Sequence, residues 1–194
     1  MTKLGALGLT AVFAALLVFC GGCGYKDTYT PAGTPNLHTF APGMWRMGQP
    51  PNSAAWDELR GIVGRPMRVV VVKLDDDKEG DDTPTENLYW TLIKIPLPPE
   101  DNLPWTVLAI PAKADVLRAV DVILEAHASG ATVIWHCSHG RDRTGLVSAL
   151  VGRRLFGWTK EQGWKDMVDH GFRWELPGLD TYWAEYGDAG KVKP

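Results

Sequence analysis

The sequence predicts an α/β fold in which a mixed central sheet of four or five strands carries helices on both faces. Two short runs of β-branched and other apolar residues, Met67–Leu74 and Ala131–Trp135, are typical of buried strands. The first of these runs is almost continuously apolar, which fits a parallel strand covered on both sides. Residues Ala114–Ser129 place apolar side chains along one stripe at helical spacing and predict a helix that packs on the core.

Weaker patterns predict the remaining elements. Asn52 or Ser53 can cap a short helix, and Leu88–Pro96 is typical of a further strand. Thr159 to Gln162 has the pattern of a capping box, which indicates that a helix begins there. Asp180–Tyr186 is expected to close the fold.

The first 23 residues have the layout of an export signal. Lys3 gives a positive start, Leu4–Phe19 is apolar, and two glycines precede Cys23. This pattern resembles a bacterial lipoprotein signal, in which Cys23 becomes the lipidated N-terminus. An uncleaved membrane anchor and a cleaved secretion signal are the alternatives. With Lys3 on the inside, all three place the domain outside the cytoplasmic membrane, and the first two attach it there.

The remaining chain divides into three parts. Residues 24–36 contain Pro31, Gly33 and Pro35 among threonines and predict a linker, 37–186 form one globular domain, and 187–194 form a tail. A chain of 194 residues that is 45% hydrophobic suits one domain with a real core, which we expect to be monomeric. The net charge of −3 provides no broad basic surface, so nucleic acid is not an expected partner.

The most informative segment is His136–Gly145, with the sequence HCSHGRDRTG. The predicted strand before it delivers Cys137 to a tight loop, and apolar spacing after it predicts that the loop opens a helix. Backbone N–H groups of such a loop and of a helix N-terminus form a concave anion site. A cysteine in that position is favoured as the thiolate, and the planar guanidinium of Arg143 suits two phosphate oxygens. The hydroxyl of Thr144 can hydrogen-bond the sulfur.

This segment resembles the phosphate-binding loop of the cysteine-based protein tyrosine phosphatases, HCxxGxxRTG, in the dual-specificity branch. The resemblance implies a protein tyrosine phosphatase-like fold, a phosphocysteine intermediate, and neither a metal nor another cofactor. It assigns the nucleophile to Cys137, the phosphate clamp to Arg143 and the assisting hydroxyl to Thr144. The residues expected to bind phosphate through the loop are Ser138, His139, Gly140, Arg141, Asp142 and Arg143. Residues 37–50 also resemble the entry of bacterial and fungal members.

In this superfamily, a loop after an upstream strand carries the acid that protonates the leaving oxygen. Asp101 lies in a proline-bounded loop 36 positions before Cys137, which suits that layout, and it is the preferred candidate. Glu100 is its neighbour and a second candidate. Asp142 is a third, because myotubularin-like phosphatases carry an aspartate at the matching loop position, although it could instead pair with a neighbouring base or organise the loop.

The substrate remains open between two classes. A phosphorylated protein is the family default, whereas His139 and Arg141 add basic groups to the loop, as in phosphatases of inositol phosphates and phosphoinositides. A catalytically inactive phosphate-binding module is an alternative that usually lacks the cysteine or the arginine. A zinc site at His136, Cys137 and His139 is a further alternative, but no second Cys/His pair accompanies it.

Residues 75–86 are rich in acidic side chains and predict a solvated loop. A calcium site is the alternative interpretation, because Asp75, Asp77, Glu79, Gly80 and Glu86 fall on the spacing of a calcium loop. The context is unusual for such a loop, since a strand precedes it and Pro84 interrupts it.

We predict that the mature protein begins at an acylated Cys23. Mass spectrometry of the N-terminus of protein purified from membranes should detect a lipid-modified cysteine as the first residue. An intact Met1 would indicate the uncleaved anchor, and an unmodified cleaved end would indicate secretion, so either result would contradict the prediction.

Overall fold

A five-stranded mixed sheet forms the centre of the protein in a computed structural model that describes residues 26–76, 80–82, 84–97, 113–173 and 177–187. The strands are β1 (His38–Ala41), β2 (Met44–Gly48), β3 (Val69–Lys73), β4 (Thr91–Lys94) and β5 (Thr132–Cys137). Their order in the sheet is β1-β2-β5-β3-β4. Strands β1 and β2 form an antiparallel hairpin, and the remaining three strand pairs of this sheet are all parallel. The predicted mixed sheet is therefore confirmed.

Six helices surround this sheet within the described ranges. They are α1 (Ser53–Val63), α2 (Pro84–Asn87), α3 (Lys113–Ala128), α4 (Asp142–Phe156), α5 (Lys160–Asp169) and α6 (Pro177–Tyr186). The predicted caps are present: the Asn52 side chain accepts a hydrogen bond from the Ala55 N–H, and Thr159 and Gln162 form both halves of a capping box. Gly157 caps the C-terminus of helix α4, and its φ of +68° is accessible to glycine at little cost.

The two faces of the sheet carry separate apolar clusters, because successive side chains of a strand point to opposite sides. On one face, strand residues pack against α3 and α4, and the cluster includes Val70, Val72, Val133, Trp135, Val120, Ile123, Leu146 and Leu150. On the other, strand residues pack against α1, and the cluster consists of Met47, Val69, Val71, Ile134, Trp56 and Leu59. Helices therefore cover both faces, as predicted. Cys137 belongs to the first face, whereas His136 contacts Trp56 on the second.

The N-terminal part of the described chain differs from the predicted linker. Residues 26–36, hereafter the strap, form turns closed by a bridge between Tyr29 and Pro35. Thr34 and Asn36 are buried, and the Thr30 hydroxyl and Ala32 N–H donate to the Glu58 carboxylate of α1. The packed unit therefore begins before residue 37, because polar groups of the strap find partners on the domain.

Two other expectations for the termini lie largely outside the described residues. The export signal predicted for residues 1–23 precedes the first described residue, Lys26, and the predicted tail is described only at Gly187. Among the helices that the structure describes, none is both long and apolar enough to cross a membrane.

The acidic segment after β3 is only partly solvated, which corrects the prediction of a solvated loop. Asp75 and Asp82 are buried, with Asp82 only 5% exposed. The Lys73 ammonium donates to the Asp82 carboxylate, and His136 Nε2 lies 3.3 Å from its other oxygen. Gln49 Nε2 donates to the same oxygen at 3.2 Å. The Asp82 carboxylate thus contacts residues at the carboxyl ends of three strands, β2, β3 and β5, on the α1 side of the sheet.

The calcium alternative is not supported by the described acidic side chains, which form no group of three or more that could hold a metal ion. Residues Asp77 and Glu79 and the side chain of Glu86 lie outside the description. Asp82 does not belong to the residues on calcium-loop spacing, and its carboxylate forms an ion pair with Lys73.

The charges around Asp82 control its protonation. Burial alone raises the pKa of this carboxyl, but hydrogen bonds and charges from His136 and Lys73 outweigh burial and lower the pKa to about 2. An unfolded aspartate has a pKa of about 3.9. The stabilisation from the Asp82 carboxylate is therefore complete above about pH 4. It is lost as the pH falls through the folded pKa of about 2.

We predict that Asp82→Asn lowers the free energy of unfolding at neutral pH by about 3 kcal/mol or more, because it leaves the buried Lys73 ammonium without its carboxylate. The loss of stability between pH 4 and pH 2 should be correspondingly shallower, within roughly the window set by the two pKa values. Urea unfolding across that range measures both effects. Asp57→Asn is the matched control, because Asp57 pairs with Arg60 on the surface. Equal behaviour of the two variants would contradict the prediction.

Candidate active site

Cys137 is the last residue of β5, the central strand of the sheet. Strand β5 lies between β2 and β3 and is parallel to both, so its carboxyl end is flanked by the ends of two other strands. Helix α4 begins five residues later, at Asp142. The cysteine is 3% exposed and faces the α3–α4 side of the sheet. The predicted strand–loop–helix arrangement is thus present, and it places the sulfur at the N-terminal end of α4.

A chain of hydrogen bonds runs from the nucleophile candidate into the core. The Thr144 hydroxyl lies 3.1 Å from Cys137 Sγ, within hydrogen-bond distance of sulfur. One turn further along α4, Ser148 donates to the Thr144 carbonyl and accepts from the indole N–H of Trp135 at 2.9 Å. All four side chains are buried. The first turn of α4 is therefore held against β5 through the residue that contacts the sulfur.

The loop between Cys137 and α4 lies directly on the end of β2. Gly140 has a φ of +75°, and a Cβ atom there would lie 2.4 Å from the Gly48 nitrogen. At Gly48, a Cβ atom would in turn lie 2.7 Å from the His139 carbonyl carbon. Each distance is too short for real Cβ contacts, so two backbones meet where neither position has room for a side chain.

Two carbonyl groups of the loop are bound from outside it. The Ser138 carbonyl accepts from the Gln49 N–H at 3.0 Å. The His139 carbonyl accepts from the Asn36 side-chain amide at 2.7 Å. The sequence predicted neither contact: Gln49 belongs to the segment that resembles the family's entry, and Asn36 belongs to the predicted linker.

The two arginines of the loop have different surroundings. Arg143 is the second residue of α4 and is buried, with only 5% of it exposed. Arg141 immediately precedes the helix, and its Nη1 lies 3.5 Å from the Asp27 carboxylate of the strap. His139 is exposed. The loop thus has one buried arginine and two basic side chains nearer its outer rim.

Asp142 is engaged by an arginine rather than left available to a substrate. Its Oδ1 accepts from the backbone N–H of Arg173, and its Oδ2 accepts from the Nε and Nη2 of the same residue at 2.9 and 2.7 Å. A carboxylate at the first position of α4 is also favoured by the helix dipole. This arrangement supports the alternative in which Asp142 pairs with a neighbouring base and organises the loop. Asp101 and Glu100 lie outside the described residues.

The zinc alternative fails on geometry. His136 and Cys137 are consecutive residues of a strand, so their side chains point to opposite faces. The His136 ring contacts Trp56 and faces Asp82, away from the sulfur. The described residues include no group of three metal-ligating side chains.

Comparison with known sequences detects the tyrosine phosphatase family over residues 98–166, a range that includes the loop, α4 and most of α5. A comparison with curated proteins finds no match.

Three solved structures illustrate the similarity of fold. TpbA of P. aeruginosa is 22% identical with a TM-score of 0.59, over 80% of this chain and 91% of that one. The catalytic core of the PP-IP phosphatase SIW14 from S. cerevisiae is 16% identical with a TM-score of 0.57, over 83% and 90%. PTPMT1, in complex with PI(5)P, is 13% identical with a TM-score of 0.58, over 80% and 99%.

At these identities the three structures establish the fold, and the sequence match is confined to the region around the loop. The segment that carries Cys137, Arg143 and the loop between them matches the tyrosine phosphatase family, and the domain that surrounds it has the fold of the cysteine-based, protein tyrosine phosphatase-like phosphatases.

Proposed function

We propose that the chain hydrolyses phosphate monoesters through a phosphocysteine intermediate, acting as a protein tyrosine or dual-specificity phosphatase. One observation carries the proposal. The Cys137 sulfur lies at the N-terminus of α4 with the Thr144 hydroxyl 3.1 Å away and Arg143 in the same first helical turn. The helix dipole and the N–H groups of that turn favour a bound phosphate beside the sulfur.

The first chemical step transfers the phosphoryl group to the enzyme. The Cys137 thiolate attacks phosphorus, the S–P bond forms, and the ester P–O bond breaks. Arg143 can bind two of the phosphoryl oxygens, which carry the developing charge of the transition state. The leaving oxygen takes a proton from a general acid, a role that we assign to Asp101.

The second step returns the cysteine to its starting state. Water attacks the phosphocysteine, a P–O bond forms, the S–P bond breaks, and the Asp101 carboxylate accepts the proton of the water. The sulfur leaves as a thiolate, and the hydrogen bond from Thr144 stabilises it. We prefer Asp101 to Asp142 because both Asp142 oxygens already accept hydrogen bonds from Arg173. Glu100 remains the second candidate.

We place phosphorylated proteins first among substrates, and inositol phosphates or phosphoinositides second. TpbA, whose fold is similar, has been determined in complex with pTyr. The second class is favoured by Arg141 and His139 at the loop, and by the likeness in fold to a PP-IP phosphatase and to PTPMT1 bound to PI(5)P. Asp27 lies beside Arg141 and offsets part of its charge, which reduces the attraction for additional phosphates.

We also propose that an N-terminal lipid or anchor attaches the enzyme outside the cytoplasmic membrane.

Hydrolysis of p-nitrophenyl phosphate in the presence of a chelator tests the proposed function. Turnover should persist without added metal and should be inhibited by vanadate, which imitates the trigonal bipyramidal transition state. Cys137→Ser should abolish turnover while retaining phosphate binding, because the serine hydroxyl is a far weaker nucleophile but leaves the loop in place. Turnover that requires a metal, or that survives in Cys137→Ser, would overturn the proposal.

We predict that Asp101→Asn slows hydrolysis of an alkyl phosphate far more than that of p-nitrophenyl phosphate. General acid assistance is worth roughly 10²–10⁴ in rate, and a basic alkoxide leaving group needs it most. The variant should also lose the basic limb of the pH profile of kcat/KM, which reports loss of the acid's proton. Glu100→Gln tests the second candidate and should leave both properties unchanged; if it shows these effects and Asp101→Asn does not, Glu100 is the acid. If Asp142→Asn shows these effects and Asp101→Asn does not, the acid belongs to the loop itself.

A further inference from the structure

We propose that Asn36 is a positioning residue for the loop between Cys137 and α4, and that the strap therefore contributes to catalysis. Its side-chain amide holds the His139 carbonyl outward, so that the next backbone N–H is aimed into the loop where a phosphoryl oxygen would bind. The proposal rests on the proposed function, since it concerns how the same loop binds phosphate.

The Asn36 side chain is completely buried, and its orientation is determined by partners at both ends of the amide. Its nitrogen donates to the His139 carbonyl at 2.7 Å and to Asp27 Oδ1 at 2.9 Å. Its oxygen accepts from the Thr28 N–H at 3.0 Å. A flipped amide would place its oxygen against a carbonyl and a carboxylate, so only the observed orientation satisfies all three contacts.

The consequence for the loop follows from peptide geometry. The C=O and N–H groups of a trans peptide lie in one plane and point in opposite directions. Because Asn36 binds the His139 carbonyl, the N–H of Gly140 points away from the strap. Because the Gln49 N–H binds the Ser138 carbonyl, the N–H of His139 points away from Gln49. Two consecutive donors of the loop are thus oriented before any ligand binds.

Such preorientation has a direct effect on catalysis. Donors that already point to the place where charge develops stabilise the transition state without the cost of reorganisation during the reaction. Loss of the outward contact would let the 139–140 peptide rotate, and the loop would have to be reordered by the substrate. The expected cost falls on transition-state binding more than on folding.

The backbone at Asn36 indicates that this position is held by its surroundings. Its φ is +50°, in the left-handed region that non-glycine residues seldom adopt, although asparagine tolerates it better than most. A conformation of this kind persists where nearby contacts over-determine it. Asn36 also donates to Asp27, and the Asp27 carboxylate lies 3.5 Å from Arg141 Nη1. The strap therefore contacts the end of the loop next to α4 as well.

The test compares Asn36→Gly with a control that loosens the strap elsewhere. Glycine accepts the positive φ without strain, so this variant removes the side chain alone. We expect kcat/KM for p-nitrophenyl phosphate to fall roughly tenfold to a hundredfold, below the 10²–10³ seen when an oxyanion donor is removed outright, with a similar rise in the vanadate inhibition constant. Asn36→Asp keeps the acceptor for the Thr28 N–H, but it replaces the donor to His139 by an oxygen that also lies beside the Asp27 carboxylate. It should therefore lower kcat/KM and weaken vanadate inhibition at least as much as Asn36→Gly does, with a larger loss of Tm.

Glu58→Ala is the matched control, because it releases the Thr30 hydroxyl and the Ala32 N–H from α1 and leaves Asn36 in place. It should lower Tm with little change in kcat/KM or in vanadate inhibition. If the two Asn36 variants change only Tm, as Glu58→Ala does, Asn36 is merely structural and the inference is overturned. Should Asn36→Gly fail to fold, Asn36→Asp decides alone, and failure of both to fold would also assign Asn36 to stability. An inactive wild-type protein would overturn the proposed function instead.

Discussion

The structure around the candidate active site depends on one constraint: if the loop binds an anion through its N–H groups, as we propose, its carbonyl groups must point elsewhere. A buried carbonyl without a partner is costly, so each one needs a donor outside the loop. Here the Gln49 N–H and the Asn36 amide supply two of those donors. These donors reach the loop carbonyls only because the end of β2 and the strap pack directly on the loop. This close packing also explains why glycines stand at the contact, at Gly48 and Gly140.

Electrostatic contacts hold the elements that meet at this site. Asp142 binds the loop end of α4 to Arg173, which follows α5. Arg46 in β2 binds Asp166 in α5 at 2.7 Å. Asp82 joins Lys73 and His136 beneath the other face of the sheet. These pairs are partly or fully buried, so removal of one partner leaves a charge in a poorly solvated position. They therefore help to maintain the placement of β2 against α5, of β3 against β5, and of α4 against the segment that follows α5.

The hydrogen bonds among Trp135, Ser148 and Thr144 also hold elements of the site together, within the core. They join β5 to the first turns of α4 and end at the Cys137 sulfur. In the proposed mechanism, the Thr144 hydroxyl has to remain within hydrogen-bond distance of the sulfur while the phosphoryl group arrives and leaves. A buried and fully partnered chain achieves this because its rotamers are restricted by packing.

The sequence by itself determined the strand, loop and helix around Cys137, the helix caps and the mixed sheet covered on both faces. These features depend on local patterns: β-branched runs, capping residues and the ten-residue loop motif. It did not reveal the hairpin of β1 and β2, the packing of the strap or the buried position of Asp82. The contact between Asn36 and His139 spans 103 positions. A short polar segment with two prolines has the same composition whether it is solvated or packed. Only the tertiary structure decided between these states, because burial depends on which distant groups supply the missing hydrogen-bond partners.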